Sequence, residues 1–385
     1  MSTLKVGGIR GVSASSDAIT VANDGTCTAN ITNNLSNRNK IINGAMLVAQ
    51  RGTSSTSSSY QTVDRFKHSG SGWDNPLTQA QGDVAGGTTP YTQGFRKTFK
   101  LTNGNQSSGA GAGDSLSMSY IVEDQDLATS GWNYLSSSAY ITLSFWFKSS
   151  INQTFYVILE SKDGTSRQYS FAITPTDADT WTKVTHSIPG NSGLQFSNDN
   201  GEGIEIYFAL FYGTNLTTSG HTLNTWKTTS SSDQCPDMTS TWFTTNNATF
   251  EITGVQLEVG SVATDFEHRK YCEEALLCKR YYQVIKGNSD LVMFGSGRAS
   301  GTTAALVATQ LAVPLRASPT LPSLGYSTWG VAGSHSVTAT PSVQSFNATD
   351  NQLNMQFGST ASLTNARTAC VACHSGSNLT MDAEL

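Results

Sequence analysis

Between residues 114 and 252 apolar side chains recur at every second position, and that period decides what the chain can become. Leu116, Met118, Tyr120 and Val122 alternate with mostly polar neighbours, and Ile141, Leu143, Phe145 and Phe147 do the same. Phe155, Val157 and Leu159 follow, then Tyr169, Phe171 and Ile173, later Ile204, Ile206, Phe208 and Leu210, and finally Phe250 and Ile252. A period of two puts one face of a strand against a core and the other outward. Turn-rich pieces such as LESKDGTS, SIPGNSG and SNDNGEG part the runs, with no helical period between them. Many short strands without crossover helices predict two sheets packed face to face, most simply as a jelly roll.

One segment breaks the β pattern. After the apolar, β-prone ITGVQLEVG, Thr264 stands as a candidate helix N-cap with Glu267 three positions on, the spacing of a capping box. Tyr271, Ala275, Cys278, Tyr282 and Ile285 then recur at alternating steps of four and three, which places them on one helical face, and Gly287 follows. The spacing predicts a linker helix over 264–286. Its face either lines a three-fold axis between sister chains or docks on the chain's own sheets. Beyond it LVATQLAVPLRASPTL, HSVTATPSV, QLNMQFG and NLTMDAEL read as strands of a smaller β-sandwich. At the other end KVGGIRGVSAS, AITVAND and CTANITN are strand-sized pieces too thin to bury a core alone. The chain therefore reads as all-β in four parts: an extended N-terminal segment (1–50), a jelly-roll β-sandwich (51–263), the helix (264–286) and a C-terminal β domain (287–385).

Composition narrows the partners. Only 13% of the 385 residues are charged and the net charge is −5, so there is no broad basic field for nucleic acid. No apolar run is long enough to span a bilayer, and MSTLKVGGIRGV has no signal-peptide core, so synthesis in a cytoplasm is expected. In that reducing compartment Cys27, Cys235, Cys272, Cys278, Cys370 and Cys373 read as thiols rather than disulfides. Cys370–His374 spells the haem-attachment pattern CVACH. Without export no haem can be loaded there, and no cofactor is expected.

Three strings carry a resemblance: NGAMLVAQRG at 43–52, TVDRF at 62–66, and TGVQLEVGSVATDFEHRKYCEEALLCKRYY at 253–282. They closely resemble segments of bacteriophage tail-fibre and related virion proteins, of the type found in phages of marine and cyanobacterial hosts. The resemblance implies a jelly roll similar to carbohydrate-binding modules, followed by a short helix and a terminal β domain. It also implies a place on the virion surface, attachment to other virion proteins through the N-terminal segment, and a homotrimer. Recognition of host-surface polysaccharide or lipopolysaccharide would be its task. None of the strings carries a catalytic residue.

Sugars offer apolar C–H faces that stack on aromatic rings, and polar side chains fix their hydroxyls. Trp73, Trp132, Tyr134, Trp226, Trp242 and Trp329 lie in polar, loop-like settings and form the candidate glycan-binding set. Trp181 opens a strand and Trp146 flanks a buried strand face, so both are assigned to packing. Glu123, Asp124 and Asp126 cluster at a strand end, where carboxylates and carbonyls could hold a structural calcium ion. Glu202 with Glu205 and Glu251 with Glu258 are the carboxylates near one another, yet they form no glycosidase motif, and no G-x-S-x-G is present. A non-enzymatic, glycan-binding fibre is the first expectation. A purely structural tail adaptor or capsid decoration is the second, and a polysaccharide depolymerase the third.

Overall fold

The computed structural model describes residues 6–15, 17–21, 27–29, 37–286, 292–319, 329–332, 336–338, 342–349, 352–358, 368–373 and 378–385. The N-terminal segment holds three short antiparallel strands, β1 (Gly8–Ile9), β2 (Ile19–Val21) and β3 (Cys27–Ala29). The alternating region then forms twelve strands: β4 (Ser54–Ser55), β5 (Phe66–Ser71), β6 (Thr78–Asp83), β7 (Lys97–Thr102), β8 (Ser115–Glu123), β9 (Tyr140–Ser149), β10 (Phe155–Ser161), β11 (Arg167–Ile173), β12 (Thr182–Pro189), β13 (Glu202–Tyr212), β14 (Lys227–Thr228) and β15 (Thr249–Val259). They make two six-stranded antiparallel sheets, in the orders β14-β11-β10-β13-β8-β5 and β12-β9-β15-β7-β6-β4. Single helical turns α1 (Thr89–Thr92), α2 (Asp124–Ala128) and α3 (Thr241–Thr244) interrupt the connections.

The predicted alternation is the core itself. Leu116, Met118, Tyr120 and Val122 of β8 face Ile141, Leu143, Phe145 and Phe147 of β9 within one buried cluster. Rings lock the two layers: Phe145 meets Phe208 edge-on at 5.0 Å, and Phe155 meets Phe250 at 5.0 Å. In β15 the alternation slips by one residue between Thr253 and Gln256. Gly254 makes that bulge possible at φ +62°, with the Phe95 ring 2.6 Å from where a Cβ would sit.

The first domain boundary moves. The sandwich begins before residue 51, because Asn39, Ile41, Asn43, Met46 and Val48 are buried. Lys40 N–H donates to Leu257 C=O and Val255 N–H to Gly44 C=O, so this stretch lies along β15. Asn43 (φ 62°) and Met46 (φ 60°) adopt left-handed backbone, which hides any strand or helix period in the sequence.

The predicted helix over 264–286 is two elements. Helix α4 covers only Tyr271–Lys279, and residues 282–286 form strand β16 (Tyr282–Lys286). Thr264 does not cap a helix: its hydroxyl donates to Glu258 at 2.6 Å. Glu267 instead accepts the backbone N–H groups of Asn37 and Asn39. Tyr271, Ala275, Cys278, Tyr282 and Ile285 consequently share no single face. Cys278 is buried with Ile42, Val48 and Tyr281, Ala275 packs against them, and Tyr271 is exposed.

Beyond β16 come β17 (Val292–Ala299), β18 (Ala304–Gln310), β19 (Trp329–Ala332), β20 (Ser336–Thr338), β21 (Ser342–Thr349), β22 (Gln352–Gly358), β23 (Thr368–Cys373) and β24 (Asn378–Asp382). Seven of them form one antiparallel sheet, β20-β19-β23-β17-β18-β22-β21. The last, β24, turns back to pair with β16, Tyr282 opposite Asp382 and Lys286 opposite Asn378. The C-terminal sheet thus grows from a two-stranded ribbon whose ends return to the sandwich. Cys370 and Cys373 lie in β23, and His374 is outside the described residues. Among the described residues, no helix is long and apolar enough to cross a membrane.

Candidate functional site

The three strings that carry the family resemblance meet in one buried junction. Arg65 of the second string is fully buried, and its guanidinium lies 3.5 Å from the centroid of the Tyr281 ring. It donates to Ile121 C=O at 2.6 Å and pairs with Glu384. Arg51 of the first string pairs with Asp382 at 2.9 Å and Glu384 at 3.2 Å, and lies 3.6 Å from the Tyr282 ring centroid. Burial opposes the charge on Arg65, but Glu384 with Tyr120 and Tyr281 more than restores it. Burial also pushes the Asp64 carboxyl up to about 6, against hydrogen bonds from Gln50 and the charge of Arg51. Asn43 N–H donates to Glu274, and Arg269 reaches the carbonyls of Asn39 and Ile41. Every polar group named here is spent on another part of the same chain. These residues of the strings join α4 and β24 to the sandwich.

The calcium cluster is not assembled. Glu123 receives Arg280 through two nitrogens, at 2.9 and 2.6 Å, and the Tyr281 hydroxyl at 2.6 Å. Burial would raise its carboxyl; these partners hold it below the usual range. Asp124 accepts the backbone N–H groups of Asn198 and Asp199. Asp126 has its carboxyl raised by burial and by the charge of Glu123. Among the described residues no group of three His, Cys, Asp or Glu side chains could hold a metal ion.

The candidate tryptophans divide. Trp132, Trp226 and Trp242 are core residues whose indole N–H groups donate to Ala139, Pro189 and Thr249 carbonyls at 3.3, 2.7 and 3.0 Å. Each anchors a polar loop onto the sandwich, so none offers a face to sugar. Trp73 and Tyr134 are half-buried and have different ring neighbours, His68 for one and Phe196 for the other. Trp329 falls in β19, with its side chain outside the described residues.

Trp181, assigned to packing, is half-buried on the outer face of the second sheet, where it packs against the cluster of Ala45, Val84, Phe95 and Trp146. Four neighbouring strands line up a row there: Trp181 beside β12, Lys148 of β9, Glu251 of β15 and Lys100 of β7. Lys148 Nζ lies 5.2 Å from the Trp181 ring centroid and 3.1 Å from Glu251. Lys100 reaches the same carboxylate at 3.8 Å, and the Thr98 hydroxyl donates to it at 3.0 Å. Behind Trp181 the Trp146 ring is buried, its N–H donating to Gln93 at 3.1 Å with Lys183 Nζ 5.6 Å from its centroid. The row combines one half-buried indole, two ammonium groups and one buried carboxylate. At the usual strand spacing it extends about 14 Å.

The opposite outer face repeats the charge pattern. Glu205 of β13 sits between Lys162 at 2.9 Å and Lys67 at 3.4 Å and accepts the Tyr207 hydroxyl. Burial would raise its carboxyl, but the two lysines and Tyr207 hold it low. Glu251 and Glu205 therefore face away from each other across the sandwich and cannot act as an acid and base pair. Glu258 is occupied by Thr264 and Gln256.

A third constellation escaped the sequence. Ser170 Oγ lies 2.5 Å from His221 Nε2, and His221 Nδ1 lies 2.7 Å from Asp233 and 2.8 Å from Lys227 Nζ. The order Ser–His–Asp is that of acyl-transfer enzymes. Here Ser170 and the imidazole are both buried beneath residues 213–238. Leu216, Leu223, Cys235 and Met238 of that segment pack on Tyr156, Ile158, Ala209 and Tyr212. The trio clamps the segment onto the sheet.

No protein-family model matches the chain, and no curated protein does. Solved structures do. The enzymatically active domain of bacteriophage CBA120 tailspike protein 4 matches at 12% identity and a TM-score of 0.31, over 58% of this chain and 21% of that one. This chain therefore spans about a fifth of that tailspike domain. A putative sugar-binding protein from Bacteroides thetaiotaomicron matches at 11% and 0.32, over 58% of this chain and all of that one. The family 11 carbohydrate-binding module of a Clostridium thermocellum cellulase matches at 12% and 0.26, over 56% of this chain and 98% of the module. Likenesses of this size carry no functional argument.

Proposed function

We propose that this chain is a phage virion fibre or tail-associated structural protein whose sandwich binds host-surface polysaccharide or lipopolysaccharide. The observation that carries the binding reading is the row Trp181–Lys148–Glu251–Lys100, a half-buried indole beside two part-exposed ammonium groups held by a buried carboxylate. A sugar ring stacks its C–H face on the accessible part of the indole while hydroxyls or carboxylates of the next units meet the ammonium groups that Glu251 holds in place. The protein binds without cleaving and needs no cofactor. The segment ahead of Asn39 attaches it to other virion proteins and to two sister copies, and three weak sites gain avidity by acting together. A glycan array of host-surface polysaccharides, probed with the full chain and with Trp181→Ala, tests the reading. Binding that Trp181→Ala weakens at least about tenfold supports it. Absence of binding, with the chain still incorporated into particles, makes it a structural adaptor. Release of reducing ends makes it a depolymerase.

A further inference from the structure

Helix α4 packs Ala275 and Cys278 inward yet also buries a carboxylate and leaves two leucines outward. Its buried residues are Glu274 and Cys278, while Leu276 and Leu277 are 46% and 38% exposed and Tyr271 is 63% exposed. A buried carboxylate beside outward leucines is the reverse of what a lone helix on a surface requires. The two leucines form one wall of a groove of about 1000 Å³, whose lining includes Asn37, Arg38, Glu267 and Pro314.

The N-terminal segment has the matching defect. Val6, Ile9, Val12 and Val21 are all exposed. Among the described residues ten large apolar side chains are exposed, and seven belong either to this segment or to α4. The two unpartnered surfaces are joined at a point. The segment enters the sandwich at Asn37, which lines the groove and whose N–H donates to Glu267. Among the described residues, both the apolar side chains of the segment and the two leucines of α4 remain exposed in the single chain. Strands of two or three residues also have no independent stability and gain it by lying against another surface.

We propose that the groove beside α4 is a seat for the N-terminal segment of a second copy of this chain, with Leu276 and Leu277 receiving its apolar side chains. Exchange of this kind covers both defects at once and makes each chain hold its neighbour. It stands independently of the glycan reading, because neither Trp181 nor Glu251 takes part.

Sedimentation of the full chain tests it, with Leu276→Glu/Leu277→Glu and Ile9→Glu/Val12→Glu as separate variants. All four positions are exposed, so circular dichroism and thermal melts should match the wild type. The wild type should be a defined oligomer, and each double variant should raise its dissociation constant at least about tenfold. Two chains, one carrying Ile9→Cys and the other Leu277→Cys, both with Cys272→Ser, should form a mixed disulfide on oxidation. A monomeric wild type overturns the proposal, as does an oligomer untouched by either variant. Loss of assembly with the helix variant alone would place a different occupant on α4, and failure of the mixed disulfide would exclude the segment from the groove.

Discussion

Neutralising Glu384 should unfold the junction more readily than any other change of similar size. Arg65 is fully buried and the Glu384 side chain nearly so, at 4% exposure, so solvent cannot take over when the partner is lost. In Glu384→Gln the guanidinium loses its counter-charge and is left with neutral partners, the Ile121 carbonyl, the new amide oxygen and the faces of Tyr281 and Tyr120. Removing one partner of such a pair costs about 3–5 kcal/mol. Arg51 loses less, because Asp382 remains 2.9 Å away. Replacing both charges, in Arg65→Met/Glu384→Gln, removes the stranded cation and should return part of that loss. Urea unfolding of the full chain gives the values, and the melting temperature should fall on the order of 10 °C for the single variant. A loss below about 1 kcal/mol for Glu384→Gln, or a double variant less stable than the single, would refute the view of the junction as a buried weld.

Asp64 makes the same junction sensitive to pH. Its folded carboxyl titrates at about 6, above an unfolded aspartate near 3.9, so its contribution is fully present below the unfolded value and disappears as pH rises through about 6. The shift corresponds to about 3 kcal/mol, and unfolding free energy measured from about pH 4 to about pH 7 should fall less steeply in Asp64→Asn than in the wild type. An identical slope would show that Asp64 is not responsible. Gly254→Ala should cost about 1–3 kcal/mol by thermal melting, because a Cβ meets Phe95 at 2.6 Å in left-handed backbone; a neutral effect would mean that Phe95 moves freely aside. His221→Ala should speed protease cleavage within residues 213–238 several-fold while leaving the sandwich melt nearly unchanged, and an unaltered cleavage rate would deny the clamp.

What the sequence revealed was whatever a local period encodes. Leu116 to Val122 and Ile141 to Phe147 declared both strand and core, because a two-residue alternation needs only its neighbours to be read. The capping box failed because its two side chains are captured elsewhere, Thr264 by Glu258 at the end of β15 and Glu267 from far along the chain by Asn37 and Asn39. Trp132, Trp226 and Trp242 misled for a related reason. A polar loop crossing a sandwich is pinned by its one large ring, so a polar context marks an anchor as readily as an open face. The row on the second sheet was half visible, since Lys148, Glu251 and Lys100 occupy the outward positions of their strands. Aligning them requires knowing that β7 and β9 both flank β15, a long-range fact with no local trace. The return of β24 to β16, nearly a hundred residues apart, was equally hidden.

The most direct test of the binding claim is calorimetric titration of the full chain with an oligosaccharide drawn from the host-surface polymer, repeated with Trp181→Ala, Glu251→Gln and a Trp73→Ala control. The account predicts measurable binding by the wild type, an affinity at least about tenfold lower in Trp181→Ala, a clear loss in Glu251→Gln, and little change in the control. Equal affinity for the wild type and Trp181→Ala, with the loss falling on Trp73 instead, would contradict it and move the site off the second sheet.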